Sequence, residues 1–353
     1  WFIEFATYRW LEHCGPNYDN DLGYRTEAEY LDWRERDPVA TYRNALISRG
    51  DLTEQDLEAI AYDIEAEVAD AFDFALSSPF PLPERAFTDL YATEHRSECA
   101  DEAPMGNTSI TTYASAIRDG FAEAMSADER VVCFGLGADD PRGIFGTTVG
   151  LQDRFGSDRV FDMPTSENGM TGVAVGMSLN GLRPVMSHQR MDFALLSADQ
   201  LVNNAARWRF MFGGQRGVPL VVRMVIGRGW GQGPTHSQNL QAWFAHVPGL
   251  KVVMPATAYD AKGLLLASIN DDDPVVFLEH RWLHHTTSEV PEGYYEVPIG
   301  QSRTVCEGDA VTVVSASYMT VEALRAVDHL REQGIHCDLI DLRTLRPIDW
   351  QGI

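Results

Sequence analysis

Beyond Ile110, short β-branched runs alternate with helical stretches, and this alternation limits the fold more than any other feature. The predicted strands are Arg130–Phe134, Arg159–Asp162, Arg183–Ser187, Pro219–Ile226, Lys251–Met254, Val275–Leu278, Ala310–Ser315 and His336–Asp341. The predicted helices are Ile110–Met125, Glu167–Leu179, Ser197–Phe212, Tyr259–Ile269 and Thr320–Gln333. Because the strand runs are almost entirely apolar, both faces of each strand should be covered. The sequence therefore predicts a parallel, doubly wound α/β sheet.

The residues before this region predict a helical segment. Between Thr53 and Asp73 apolar residues recur every three or four positions, acids fill the other face, and no Lys or Arg occurs. This pattern is typical of an amphipathic helix, with Thr53 as its N-cap. We predict five segments, which are a helical part at 1–92, a linker at 93–109, the α/β domain at 110–293, a second linker at 294–308 and the truncated start of another α/β domain at 309–353.

Charge and cysteine usage exclude several classes of partner. The chain has 28 Lys plus Arg and 52 Asp plus Glu, a net charge of −24, so neither nucleic acid nor an anionic membrane is its expected partner. Five dispersed cysteines without a CxxC pair predict free thiols in a reducing compartment. The sequence begins at Trp1 within an apolar-aromatic stretch, so we expect an internal piece of a longer polypeptide.

The first candidate functional residue is Glu167. A predicted strand ends at Asp162, Pro164 prevents it from continuing, and Ser166 can cap the helix that follows. Glu167 then lies at the carboxyl end of a parallel strand, where open α/β sheets bind ligands. A carboxylate between a glycine-bare helix face and an apolar core is suited to sharing a proton with a ligand nitrogen. The alternative is a structural glutamate that only complements the helix dipole.

Other motifs leave functional and structural interpretations open. His236 closes a glycine-rich loop and could transfer a proton, or be a surface histidine. His13 lies in a predicted turn with the same two alternatives. The run Gly135–Asp140 lacks the third glycine of a dinucleotide-binding motif, and His280–His285 lacks the helical pattern that a zinc site on one helix face would need.

These stretches together resemble the thiamine diphosphate-dependent, decarboxylating component of 2-oxo-acid dehydrogenase complexes, the pyruvate, branched-chain and acetoin dehydrogenase family. Residues 110–353 resemble its beta subunit through Met163–Gly169, Gly181–Pro184, Asp199–Asn203, His236–Gln238, Ala242–Val253, Asp260–Leu265 and Asp271–Val276. Residues 1–92 resemble the C-terminal part of its alpha subunit through Thr7–Arg9, His13, Gly23–Arg25 and Arg36–Pro38. The resemblance implies an alpha–beta fusion cut at both ends. Its 110–293 segment would be a transketolase-like pyrimidine-binding domain, followed by the start of a transketolase C-terminal-like domain.

The resemblance also implies residue roles toward thiamine diphosphate. Glu167 matches the glutamate that hydrogen-bonds the aminopyrimidine ring nitrogen and favours the tautomer that deprotonates the thiazolium. Phe193 matches the aromatic residue that packs on the pyrimidine. His236 matches the beta-subunit active-site histidine, suited to proton transfer or to acyl transfer onto lipoamide. His13 matches the alpha-subunit loop histidine near the diphosphate.

Two metal ions are implied in the same way. In some family members a structural potassium ion is held, mostly by backbone carbonyls, at positions matched by Leu220, Ser268, Asp271 and Asp273. The Gly-Asp-Gly…Asn motif that holds magnesium and diphosphate is absent, and we expect it upstream of Trp1. Cys14 stands where mammalian pyruvate dehydrogenase has a regulated serine, so we expect no such phosphorylation switch.

One departure from the family concerns the active site. The acidic pair after the first beta-subunit strand reads Gly135-Leu136-Gly137 here, so Leu136 replaces an active-site glutamate. Asp139 or Asp140 could compensate if the loop shifts.

The implied function is oxidative decarboxylation of a 2-oxo acid with acyl transfer to a lipoyl group. The alternatives are a transketolase- or carboligase-type enzyme with the same cofactor, and a non-catalytic assembly partner. The implied partners are a 2-oxo acid, the lipoyl domain of an acyltransferase core, and a second copy of the fused chain in a homodimer that imitates the family's heterotetramer. The free thiols and the fused architecture together predict a location in the bacterial cytoplasm. The mitochondrial matrix is the alternative location, because a transit peptide would precede Trp1.

Overall fold

The computed structural model describes residues 3–13, 15–92, 107–228 and 231–353. The chain divides into two compact units, Trp1–Pro81 and Leu82–Ile353. The predicted linker at 93–109 lies almost wholly outside the described residues, as does Cys14.

The first unit is helical, with α1 at Glu27–Glu35, α2 at Pro38–Arg49 and α3 at Glu54–Ser77. A capping box begins α3, because the Thr53 hydroxyl accepts from the Asp56 N–H at 3.2 Å and the Asp56 carboxylate accepts from the Thr53 N–H at 2.8 Å. The predicted amphipathic helix with Thr53 as its N-cap is therefore confirmed.

The second unit contains the sheets. Its strands are β1 Thr108–Thr112, β2 Val131–Gly135, β3 Val160–Asp162, β4 Arg183–His188, β5 Val221–Ile226, β6 Lys251–Val253, β7 Val275–His280, β8 Thr287–Pro291, β9 Arg303–Cys306, β10 Val311–Ser315, β11 Cys337–Asp341 and β12 Thr344–Arg346. Its helices are α4 Tyr113–Ala127, the distorted turn α5 Gly143–Gly146, α6 Leu151–Phe155, α7 Glu167–Leu179, α8 Met191–Ala194, α9 Trp208–Met211, α10 Gln241–His246, α11 Ala258–Asn270 and α12 Tyr318–Glu332.

The main sheet has seven strands in the order β12-β6-β7-β5-β4-β2-β3. Its strands are parallel apart from the edge strand β12, which runs antiparallel to β6. A smaller sheet has the order β10-β11-β9, and β1 pairs antiparallel with β8. Each of the eight predicted strands is present, with ends shifted by one or two residues.

Helices cover both faces of the main sheet. On one face α4 and α11 pack over side chains such as Cys133 and Phe277. On the other face α7, α8 and α10 pack over side chains such as Phe134 and Met186. Because successive strand residues point to opposite faces, the apolar runs fill two cores. The predicted doubly wound α/β fold is confirmed.

Three predicted elements differ from the structure. The helix predicted from Ile110 begins at Tyr113, because the Thr-rich run before it pairs as β1 and Thr112 caps the helix through the Ser115 N–H at 3.2 Å. The helix predicted at 197–212 is broken into a 3₁₀ turn (Leu195–Ser197), a π-helical turn (Gln200–Ala205) and α9. The segment predicted as a linker at 294–308 contains β9, which pairs with β11.

Among the described residues no helix has the length and apolar character needed to cross a membrane. The cysteines described, Cys133, Cys306 and Cys337, are free thiols, as the sequence predicts.

Candidate active site

Four predicted residues follow neighbouring strands at one edge of the main sheet. Leu136 follows β2, Glu167 follows β3, Phe193 follows β4 and His236 follows β5. These strands are parallel, so their carboxyl ends meet at the same edge, where the ligands of open α/β sheets bind.

Glu167 is the first residue of α7 and is 7% exposed. Its backbone carbonyl accepts from the Thr171 hydroxyl at 2.7 Å and from the Ser197 hydroxyl at 2.9 Å. Its carboxylate forms no hydrogen bond or ion pair with another described residue, and the Ser166 side chain does not cap α7 as predicted. A buried carboxylate at the ligand-binding edge thus has acceptor oxygens that no other described residue binds.

Phe193 and His236 are brought into contact. Their ring centroids lie 5.3 Å apart with the rings nearly perpendicular, and Phe193 is 38% exposed. The His236 Nδ1 lies 3.2 Å from the Thr235 hydroxyl. The loop is tied to α8 because the Gln238 N–H donates to Asp192 at 3.3 Å. An aromatic face and an imidazole therefore share one surface of the second unit.

A buried histidine lies behind this surface. Ser197, which donates to the Glu167 carbonyl, also lies 3.5 Å from the His188 Nε2. His188 is 1% exposed, and burial lowers its pKa to about 4. The sequence analysis did not single out His188, because it is the last residue of the buried strand β4 and belongs to no recognisable motif.

The buried His188 should make folding acid-sensitive. The unfolded state binds a proton below the ordinary pKa of 6.5, whereas the folded state does so only near pH 4. The free energy of unfolding should therefore fall by about 3 kcal/mol from this group as the pH drops from 6.5 to 4. His188→Phe should flatten this slope in urea titrations across that range, and the exposed His329→Gln should not. An unchanged slope in His188→Phe would contradict the assignment.

Leu136 lies in a loop fixed by Asp162. The Asp162 carboxylate accepts from the N–H groups of Gly137 at 2.8 Å and Ala138 at 2.5 Å, and Leu136 packs against the α7 side core. The other acids of this loop bond locally, since Asp139 accepts from the Asp162 N–H at 3.4 Å and Asp140 from the Arg142 N–H at 2.7 Å. Both acids are therefore engaged within the loop, and compensation for Leu136 by either one stays a prediction.

His13 belongs to the first unit and is exposed. The preceding residues are anchored by Arg25, whose guanidinium donates to the carbonyls of Arg9 and, at 3.2 Å, Trp10. Its role toward a diphosphate stays a prediction.

The carboxylates predicted to lie at a potassium site already bind cationic side chains. The Lys251 ammonium lies 2.6 Å from Asp271 and 3.4 Å from Asp273, and the Arg209 guanidinium donates to Asp273 at 2.6 Å. Burial alone would lower the pKa of Lys251, but the two aspartates raise it above its usual value. Each of the two carboxylates is therefore already paired with a positively charged side chain.

Two backbone carbonyls and one hydroxyl of the same set are also engaged. The Asp271 carbonyl accepts from Arg183 at 3.0 Å, and the Leu220 carbonyl accepts from the first N–H of β7 at 2.9 Å. The Ser268 hydroxyl donates one turn back within α11. Because protein cations and amides already bind both carboxylates and two of the carbonyls in this set, we expect it not to hold a potassium ion.

Potassium should consequently have no specific effect on stability. A bound ion would add about 2.7 kcal/mol at 100 times its dissociation constant. We expect equal unfolding temperatures in potassium chloride and choline chloride of equal ionic strength. Lys251→Met should lower the free energy of unfolding by about 3 kcal/mol by leaving Asp271 unpaired. A potassium-specific rise in the unchanged protein would contradict this arrangement.

Sequence reasoning also missed a buried ion pair. Arg223 on β5 and Glu279 on β7 are both fully buried, and the Arg223 Nη2 donates to Glu279 at 3.1 Å. Arg223 also donates to the Thr147 hydroxyl at 2.8 Å, while the His284 Nε2 lies 3.2 Å from Glu279. Burial alone would raise the pKa of Glu279, but Arg223 and His284 lower it to about 2. A charged residue inside an otherwise apolar strand could have revealed each partner.

A cavity of about 570 Å³ lies between α10 and the segment after α8. Its lining is mainly apolar and includes Leu195, Val202, Trp243 and Phe244. None of the predicted catalytic residues lines it, so the candidate active site is defined by Glu167, Phe193 and His236 rather than by this cavity.

Three family descriptions match the chain. "Dehydrogenase E1 component" matches residues 1–84, "Transketolase, pyrimidine binding domain" matches 110–285, and "Transketolase, C-terminal domain" matches 300–353. Among solved structures, a "Split gene transketolase, inactive beta4 tetramer" shares 22% identity with a TM-score of 0.54, and the match covers 69% of this chain and 74% of that one. The similarity to this solved structure supports the fold alone.

Curated relatives are considerably more similar. The pyruvate dehydrogenase E1 component subunit beta of Acholeplasma laidlawii is 44% identical over 245 residues, which cover 69% of this chain and 75% of the relative. The 2-oxoisovalerate dehydrogenase subunit beta of Pseudomonas aeruginosa is 42% identical over 259 residues, covering 69% and 73%. The chain therefore belongs to the thiamine diphosphate-dependent 2-oxo-acid dehydrogenases, oxidoreductases that act on oxo groups, and it joins an alpha-type segment to a beta-type segment.

Proposed function

We propose that this protein catalyses oxidative decarboxylation of a 2-oxo acid and transfers the acyl group to a lipoyl group on a partner domain. The observation that carries this proposal is the buried Glu167 carboxylate at the ligand-binding edge, on the same edge as the Phe193–His236 pair. Such a set of groups suits the pyrimidine side of a thiamine diphosphate site.

The residues present fit that cofactor. The Glu167 carboxylate, bonded to no other described residue, would accept a hydrogen bond from a ring nitrogen of the pyrimidine. The exposed face of Phe193 would pack on the flat ring. When bound, thiamine diphosphate supplies the electron sink for loss of carbon dioxide.

His236 is suited to proton transfer during turnover. Its Nδ1 lies against the Thr235 hydroxyl, which would hold the ring and leave the Nε2 to exchange a proton with the substrate or the lipoyl group. Phe193 packs edge-on against the ring and restricts its orientation.

Further parts of the proposal rest on the family. His13 would contact the diphosphate, and magnesium would bind together with the diphosphate. The joined alpha-type and beta-type segments support an assembly of two copies of the chain. The bacterial cytoplasm remains the proposed location.

The test is reductive acylation of a lipoyl domain by the complete protein. With a 2-oxo acid and thiamine diphosphate, we expect the mass of the oxidised lipoyl domain to rise by that of the acyl group and one hydrogen, because one sulfur is acylated and the other becomes a thiol. Formation of a ketol from two carbonyl substrates without acylation would overturn the proposal in favour of a carboligase. Cofactor binding without either acylated lipoyl domain or ketol would overturn it in favour of a non-catalytic assembly partner. The replacement at Leu136 favours that alternative.

A further inference from the structure

Two arginines converge on one aromatic ring at the carboxyl edge of the main sheet. Arg190 follows β4 and Arg281 follows β7. Their guanidinium carbons lie 5.4 Å and 5.1 Å from the centroid of Phe145. The same edge carries Glu167 and His236, yet these arginines belong to none of the motifs assigned above.

This arrangement brings two like charges together in a partly buried place. Arg190 is 6% exposed and Arg281 is half-buried. Burial, followed by the charge of Arg281, lowers the pKa of Arg190, and burial also lowers the pKa of Arg281. Repulsion between like charges grows as water is excluded, so an anion bound near both would be strongly attracted.

A third arginine lies near this pair. The Arg228 guanidinium lies 5.4 Å from the Trp282 ring at the exposed side of the same edge. The His284 Nδ1 lies 3.4 Å from the Arg281 Nη1. Glu279, the acid in contact with His284, is already paired with Arg223. Arg190, Arg228 and Arg281 therefore form a basic edge, with the opposing charge of Asp192 near Arg190, in a chain whose net charge is −24.

The basic edge adjoins the candidate active site. The Arg190 Nη2 donates to the Gln232 side chain at 3.3 Å, and Gln232 lies in the loop that carries His236. Arg190 also immediately precedes α8, which carries Phe193. A ligand held by Arg190 would consequently lie beside the proposed catalytic surface.

We propose that Arg190 and Arg281, stacked on Phe145, form an oxyanion-binding site for a carboxylate or phosphoryl group of a small molecule. Planar guanidinium groups bind both kinds of oxyanion through paired hydrogen bonds. The anion is either the second carboxylate of a dicarboxylic 2-oxo acid or free inorganic phosphate. The first source rests on the proposed function, whereas binding of an oxyanion does not.

Binding is measured first, without turnover. The complete protein is titrated calorimetrically with succinate and, separately, with inorganic phosphate. We expect saturable binding of at least one anion, weakened about tenfold or more by Arg281→Gln and by Arg190→Gln, since each loses a charged hydrogen-bond donor. Arg325→Gln, on the exposed face of α12, is the matched control and should bind as the unchanged protein does. Arg281→Lys keeps the charge without the planar fork and should bind with intermediate affinity. Circular dichroism confirms that each variant is folded.

Kinetics then distinguish the two sources. If the anion is part of the substrate, Arg281→Gln lowers the ratio of kcat/KM for dicarboxylic over monocarboxylic 2-oxo acids about tenfold. If phosphate is the ligand, that ratio stays constant and phosphate binding is lost. No saturable binding of either anion, or equal affinity in folded Arg281→Gln, would overturn the site whether or not the protein decarboxylates 2-oxo acids.

Discussion

Glu167→Gln is expected to lower kcat of the assembled enzyme about 10³-fold while leaving the protein folded. Glutamine keeps the shape of the side chain but cannot take up or release the shared proton, and a positioned acid–base group contributes about 10²–10⁴-fold to a rate. The Glu167 carboxylate has no partner among the described residues that would be lost, so the cost in stability should stay near that of a helix-terminal charge, about 1 kcal/mol or less. Decarboxylation rates and thermal unfolding of the same preparation measure both quantities.

The matched control is Glu54→Gln, which changes the same residue type at the same position of a helix. Glu54 is the first residue of α3, as Glu167 is of α7, but it is exposed. It should leave turnover unchanged. If Glu167→Gln also turns over normally, Glu167 serves the helix dipole alone and the proposed catalytic role fails. A loss of cofactor binding with normal kcat at saturation would assign Glu167 to binding rather than proton transfer.

Much of the fold could be predicted because local pattern and tertiary environment agree. The strands that form the centre of the main sheet are buried on both faces, so their apolar runs stand out against the helices between them. The predicted start of α4 was wrong because here the local pattern does not determine the structure. The sequence of Thr108–Thr112 is compatible with a helix or a strand. It forms a strand because it pairs with β8, which is distant in sequence.

The candidate site was only partly visible in the sequence. Glu167 could be placed because strand end, Pro164 and helix start follow one another within a few residues. The contact between Phe193 and His236 depends on a loop that folds back across the sheet edge, which no local pattern encodes. The convergence of Arg190 and Arg281 on Phe145 likewise joins three separate loops.

Breaking the buried Arg223–Glu279 pair should have the largest effect on stability. Arg223→Met or Glu279→Leu alone is expected to lower the free energy of unfolding by about 3–5 kcal/mol, because each leaves one buried charge unpaired. The pKa of Glu279, lowered from 4.5 to about 2, means that the pair contributes fully above pH 4.5 and is lost as the pH falls towards 2. Urea unfolding at pH 7 measures each variant.

The double variant separates a true ion pair from simple loss of packing. Removing both charges leaves neither unpaired, so Arg223→Met with Glu279→Leu should cost clearly less than the sum of the single variants, by about 2 kcal/mol or more. Thr147 and Ser187, which accept from the guanidinium, and His284, which contacts the carboxylate, would lose those partners, so some destabilisation should remain. The exposed pair of Arg331 and Asp328, at 2.7 Å, is the control, and Arg331→Met should change stability far less because water screens it. Strict additivity of the two buried substitutions would show that the charges act independently, and the pair would then have no role in joining β5 to β7.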